Sequence, residues 1–359
     1  GLASALATPR TAITRPTTPT DAASRLDGLL GTGPWCMAKV FTADDARLLP
    51  NPHYRGDRPT LRDLRFRRFA PDEDGRPAAL IEAIESGNID LTTMLTPRDA
   101  KRVENARHLI RPGCSTALLW LNLDRLRQVK LREAIFAAID RYGLAEKSYL
   151  HPERFVANSV LPPGMQGRRD RFRYDKEHAR ACLEGLALPN TPLRLLVIWG
   201  PRAYLPAPRN WARAIKEMLA RVGLECELIQ TKSPQDYQAQ IREGQYDLLL
   251  GGWAADTEDP CDFIEALFDP VVIPSPDDVV ATGCNFSRMN DPVVSGCLAE
   301  YRETRAPQVL ETLLARAEQN MGVLPLAYGP AIAVHGWHVA GFRSNGLGVP
   351  DFGALHLRV

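Results

Sequence analysis

Between Leu193 and Trp253 short apolar runs alternate with amphipathic stretches in a rhythm that admits few architectures. LRLLVIW (193–199) reads as a strand. In WARAIKEMLARVG (211–223), Trp211, Ile215, Met218, Leu219 and Val222 share one stripe at helical spacing, and Gly223 ends it. LECELI (224–229) is a second strand. SPQDYQAQIREG (233–244) opens with Ser233 as N-cap and Pro234 at the first helical position. YDLLLGGW (246–253) is apolar on both faces, as suits a parallel strand covered by helices. A β-α-β-α-β series implies right-handed crossovers and a parallel sheet, so the chain is of the α/β class.

The flanks carry less regular versions of the same design. LRDLRFRRF (61–69) reads as a strand, AALIEAIESG (78–87) as a helix closed by Gly87, and IDLTTML (89–95) as a strand. STALLWLNL (115–123) is an apolar strand. LREAIFAAID (131–140) puts Leu131, Ala134, Ile135, Ala138 and Ile139 on one face of a helix. The Pro-, Gly- and Arg-rich span 152–173 is expected to wrap the surface, with GRRDRFR (167–173) a solvated basic loop. Two further helices are expected at 292–301 and 307–320. ESGNIDLTTM (85–94) echoes REGQYDLLLG (242–251): helix end, Gly, one polar residue, Ile or Tyr, Asp-Leu, strand. Two lobes of related α/β design follow. The expected division is an irregular segment at 1–25, a partial first lobe at 26–114, a second lobe at 115–325 and a return to the first at 326–359.

The chain has 359 residues, too many for one simple core. Its 44 basic and 43 acidic residues leave a net charge of +1, so no global field points to nucleic acid or an anionic membrane. The Thr-, Ala- and Pro-rich start is broken by Arg10 and Arg15 and is no secretory signal. Seven dispersed cysteines without a CxxC or a zinc spacing read as small buried hydrophobes. G-x-S-x-G and H-E-x-x-H are absent. His335 and His338 in HGWH lack a nearby third ligand and read as structural, and GTGPW is no phosphate loop because Pro34 and Trp35 replace the needed helix start.

The chemistry concentrates after Trp253, where Asp256, Glu258, Asp259 and Asp262 fall within seven residues. Ligands of a parallel α/β sheet bind beyond the carboxyl ends of its strands, and GGW ends such a strand. Asp259 precedes Pro260 and the helix DFIEALF, so Asp259 and Asp262 serve the helix N-terminus. Asp256 has no such duty. It can accept charge-assisted hydrogen bonds from an ammonium group, each worth roughly 1.5–3 kcal/mol, or it can bond its own loop backbone. Spacing leaves both open. Trp253 supplies a flat apolar wall, and Thr96 and the Trp199–Tyr204 loop, with Arg202 for an anionic group, should also face the crevice.

GGWAADTEDPCDF resembles the strand-end motif of the family 5 extracellular solute-binding proteins, the peptide-, nickel- and oligosaccharide-binding components of bacterial ABC importers. GTGPW, NPHYRGDRP, AIESGNIDL, LLWLNLDRLRQVKLREAIFAAIDR, NFSRMNDPVVSGCL and VLPLAYGP continue the likeness in order, from about Leu26 to Val359. The resemblance implies that Asp256 holds a peptide's α-ammonium group, and it places Trp120 and Asn122 on a strand near the lobe junction. It implies a two-lobe periplasmic-binding-protein-like (type II) fold, each lobe a mixed, mostly parallel sheet flanked by helices. The family pattern is joined partway, so the first lobe is expected to be partial.

The expected function is non-enzymatic capture of a peptide or other amine-bearing solute between two lobes, for delivery to an ABC transporter permease. The expected contacts are Asp256, Trp253, Trp120, Asn122, Thr96, Arg202 and Tyr204, with no catalytic residue, metal or cofactor. A monomer in the periplasm or outside the cell is expected, compatible with a lipid anchor and without nucleic acid as partner. The alternatives are the ligand-sensing domain of a transcription regulator and, behind it, a hydrolase.

Overall fold

A computed structural model describes residues 14–15, 30–38, 42, 44–72, 76–149, 151–165, 172–188, 190–278 and 284–358. Apart from Thr14 and Arg15, the segment 1–25 lies outside the described residues, as do 167–171 of the basic loop. In chain order the strands are β1 (Thr14–Arg15), β2 (Leu30–Gly31), β3 (Trp35–Met37), β4 (Asp45–Pro50), β5 (Leu64–Arg67), β6 (Leu91–Thr92), β7 (Ala106–Leu121), β8 (Leu193–Val197), β9 (Cys226–Leu228), β10 (Leu248–Ala254), β11 (Val323–Gly336), β12 (Val339–Ala340) and β13 (His356–Leu357). The helices are α1 (Ala78–Glu85), α2 (Pro97–Ala100), α3 (Val129–Ala138), α4 (Arg141–Glu146), α5 (Lys176–Leu183), α6 (Pro208–Ala220), α7 (Pro234–Glu243), α8 (Cys261–Phe268), α9 (Pro292–Thr304) and α10 (Pro307–Asn320). They form two compact units, one of 1–111 with 331–359, the other of 112–330.

In the first unit β3, β4 and β5 make an antiparallel meander. The charges of LRDLRFRRF fit there because Arg65 pairs with Asp45 and Arg47 with Asp63 on the exposed face. Helix α1 buries Leu80, Ile81 and Ile84 against Leu95, Ala100, Val103, Ile332 and Val334. The strand expected at 89–95 shortens to β6, which pairs antiparallel with β11. Thr92 Oγ1 accepts from Met94 N and Thr96 caps α2, so local side-chain bonds turn the chain out of the sheet.

The second unit holds the β-α-β-α-β series. Its sheet order is β11, β7, β10, β8, β9, with β10–β8 and β8–β9 parallel and β7 antiparallel to β10. Helix α6 buries Trp211, Ile215, Met218 and Leu219. Helix α7 starts where Ser233 Oγ accepts from Asp236 N at 3.1 Å and stops at Gly244, φ +64°. Gly87 after α1 has φ +73°, so the repeated sequence marks the same left-handed exit from a helix into a strand. Leu118, Trp120, Leu196 and Leu249 from the sheet meet Phe263, Ile264, Leu298, Leu310 and Leu314 from α8, α9 and α10 in one core. Residues 152–165 do not wrap the surface as expected: Phe155, Ala157, Leu161 and Met165 are buried, and Val156 bridges to Ala327. All seven cysteines carry free thiols, with Cys182, Cys226 and Cys261 buried.

Candidate functional site

At its C-terminal end β10 stays in register with β7, Gly252 opposite Ala117, Trp253 opposite Thr116 and Ala254 opposite Ser115. Ala255 N donates to Cys114 O at 2.9 Å, extending the pairing by one residue. The next residues are held from α8. Asp262, in its first turn, directs Oδ2 to the backbone N–H groups of Asp256 at 2.5 Å and Thr257 at 2.7 Å. Its Oδ1 accepts from the Trp253 indole N–H at 3.3 Å. Burial pushes the Asp262 carboxyl above its ordinary value; the three N–H donors pull it down, and the charge of Asp256 pushes it up again. Asp259 accepts from Cys261 N at 3.0 Å and faces Arg305 at 3.3 Å. Both acids are thus structural. Asp262, though, braces the loop that carries Asp256, a duty its sequence position does not disclose.

Asp256 itself is exposed on this braced loop. Trp253 is half-buried and packs with Ile198, Trp199 and Ala255 against the unit's core. Tyr204 lies across the strand: its hydroxyl donates to Gly252 O at 3.1 Å, and its own carbonyl accepts from Tyr149 Oη at 3.0 Å. A Cβ on Gly252 would meet the Tyr204 ring at 2.5 Å and overlap Thr116 O, and one on Gly329 would meet Tyr204 Cβ at 2.7 Å. Two glycines therefore make the slot that Tyr204 fills, and burial pushes its phenol up to about 12. Arg202 is exposed and donates from Nη1 to Pro201 O at 2.9 Å. The strand end, the Tyr204 loop and the Asp256 loop thus come together in the second unit.

The other expected contacts are elsewhere. Trp120 is fully buried, edge to face with Phe286 at 5.0 Å between centroids, and belongs to the core rather than to a ligand surface. Asn122 is also buried, donating to Gly244 O at 3.2 Å and Tyr246 O at 3.0 Å. The antiparallel register explains the correction. Leu121 pairs with Leu248 at the start of β10, so Asn122 lies beyond the opposite end of that pairing from Trp253, roughly 20 Å away at about 3.3 Å per residue. Thr96 belongs to the first unit, where its hydroxyl donates to Asp99 Oδ2 at 2.6 Å and accepts from Asp99 N at 3.2 Å as the cap of α2. Sequence reasoning also passed over Thr116. Its Oγ1 is buried without a hydrogen-bond partner, opposite Trp253, on the face of β7 that carries Leu118 and Trp120. A hydroxyl inside an apolar stripe was the available signal.

Neither histidine of HGWH joins a metal cluster among the described residues. His335 is buried, donates from Nδ1 to Gly336 O at 3.0 Å and stacks on Phe342, whereas His338 Nε2 meets Asp90 Oδ1 at 2.7 Å. A cavity of about 670 Å³ in the first unit is lined by Arg107, His335, Trp337, Phe342, Arg343 and Arg358 among others, and none of the expected contacts lines it.

An α/β chain in two units, with a strand end that presents an aromatic wall and an exposed carboxylate, has the build of a type II periplasmic binding protein, the fold of its solved neighbours. Residues 2–273 match the family described as bacterial extracellular solute-binding proteins, family 5 Middle, and the chain belongs to that family. It is 26% identical over 344 residues to a probable di/tripeptide-binding protein 5 of Pseudomonas aeruginosa, covering 92% of this chain and 62% of that protein. It is 25% identical over 248 residues to the dipeptide-binding protein of Escherichia coli, covering 67% of this chain and 45% of that protein. HbpA2 from Haemophilus parasuis superposes with a TM-score of 0.76 at 23% identity, over 92% of this chain and 64% of that one. DppA from Helicobacter pylori, solved with the peptide STSA, superposes with a TM-score of 0.68 at 20% identity, over 91% and 63%. The chain thus spans about half to three-fifths of the length of these curated relatives. Members of this family are substrate-binding proteins rather than enzymes.

Proposed function

We propose that this protein captures a peptide or other amine-bearing solute without transforming it and delivers it to an ABC transporter permease, outside the cytoplasmic membrane and as a monomer. The observation that carries the reading is the Asp256 carboxylate, exposed beside Trp253 on a loop whose backbone Asp262 holds in place. A carboxylate on a braced backbone suits an ammonium group because the hydrogen bonds it accepts are charge-assisted and its loop needs less ordering on binding. Trp253 covers the apolar part of the solute, and Arg202, in the loop that ends at Tyr204, offers a cation to an anionic end. The peptide-binding relatives support the solute class.

The test is calorimetry with dipeptides and tripeptides and with their N-acetylated forms. Free-amine peptides are expected to bind, acetylation and Asp256→Asn each to weaken binding about 10-fold or more, in line with roughly 1.5–3 kcal/mol for a charge-assisted bond. Equal binding of free and acetylated peptides by the wild type removes Asp256 from the site. Mass spectrometry of the recovered peptide is expected to return it intact; cleavage products would overturn the non-enzymatic reading.

A further inference from the structure

Helices α3 and α5 pack side by side in the second unit and bring together three side chains that solute capture does not use. His178 and Cys182 sit one turn apart on α5, which puts both on one face, and Glu133 reaches them from α3. His178 Nε2 is 2.9 Å from Glu133 Oε1 and 3.5 Å from Cys182 Sγ, and donor atoms of all three lie within 4.8 Å of one another. This is the one such trio among the described residues.

We propose that Glu133, His178 and Cys182 form a binding site for a divalent zinc-type cation. With metal bonds of about 2.0 Å to nitrogen or oxygen and about 2.3 Å to sulfur, a tetrahedral ion holds neighbouring donors roughly 3.3–3.6 Å apart. The imidazole–thiol separation of 3.5 Å already meets that, and the imidazole–carboxylate pair at 2.9 Å needs to open by only a few tenths of an ångström. Thiolate with imidazole selects borderline and soft ions over magnesium and calcium. The cysteine lies buried at the base, while the histidine side chain is 48% exposed at the mouth, so an ion can approach and a water can complete the shell.

The surroundings fix the donors. Asp175 caps α5 by accepting from His178 N at 2.9 Å, and Asp175 N donates to Ala137 O at 2.9 Å, tying the start of α5 to the end of α3. Lys130 Nζ holds Glu133 Oε2 at 3.0 Å, which leaves Oε1 toward the site. On binding, the thiol proton leaves to solvent as the metal–sulfur bond forms, and the imidazole coordinates through Nε2 with its proton on Nδ1.

Titration of the reduced 359-residue chain with Co²⁺ tests the site. One equivalent is expected to give a near-ultraviolet sulfur-to-cobalt charge-transfer band with visible bands of tetrahedral cobalt, both bleached by Zn²⁺. Cys182→Ser is expected to abolish the charge-transfer band. His178→Ala, a change at an exposed position, is expected to weaken binding at least about 10-fold and to remove the rise in melting temperature that Zn²⁺ gives the wild type. Absence of the band at one equivalent of cobalt, or its persistence in Cys182→Ser, overturns the proposal, as does an equal zinc-induced stabilisation of His178→Ala.

Discussion

At the scale of single residues, the loop after Trp253 depends on a carboxylate that contacts no solute. Asp262→Ala removes the acceptor of the Asp256 and Thr257 N–H groups, and a hydrogen bond to a charged group is worth about 1.5–3 kcal/mol. Urea unfolding is expected to register that loss, and amine-bearing peptides to bind more weakly. The pH dependence has a definite sign. The folded protein holds the Asp262 proton more tightly than the unfolded chain does, so ionising it costs stability as pH rises from the ordinary carboxylate range through the raised folded value. The stability gap between wild type and Asp262→Ala should narrow across that window; a gap that widens with pH would contradict the assignment. Asp259 was legible as a helix-end acid because Pro260 follows it. Asp262 was legible only as structural, because its partners are set by a fold-back with no sequence period. Trp120 and Asn122 were misplaced because residue type does not reveal register. Trp120→Ala should therefore cost about 3–5 kcal/mol of stability, seen in the urea midpoint, through loss of core packing.

At the scale of elements, the strand-helix alternation from Leu193 to Trp253 was legible almost throughout, since periodicity, Ser233 with Pro234, and the closing glycines agree with one another. Boundaries moved by a few residues: the stripe expected at 211–223 belongs to a helix that starts at Pro208 and ends at Ala220. Less was legible where side chains compete with the ladder, as at Thr92 and Thr96, or where buried apolar residues hide in a Pro-rich span, as at Phe155 and Leu161. The two helix ends marked by the internal echo make a matched test. Gly87→Ala and Gly244→Ala each force a side chain into the left-handed region, at about 1–2 kcal/mol, and chemical denaturation should give similar losses for both. Ser233→Ala is expected to remove about 1 kcal/mol by leaving Asp236 N without its cap acceptor.

At the scale of the whole molecule, protection should differ between the units. In the second, β8 and β10 lie inside the sheet under a core that joins α8, α9 and α10, whereas β6 of the first is two residues long. Hydrogen exchange read by mass spectrometry is expected to protect Leu195–Val197 and Leu248–Gly251 longest and to release Leu91–Thr92 early. Slow exchange at β6 would show that the first unit is held more firmly than its small elements indicate. Strands β7 and β11 each run from one unit into the other without a break, so no loop or change of composition marks either boundary in the sequence. That crossing also orders events at the ribosome. The second unit is one continuous stretch and can close as soon as residue 330 has left the exit tunnel, but Ile332 and Val334, which complete the core of the first, are synthesised only after it. The part of the first unit that precedes the second must therefore wait for the part that follows it before it can settle.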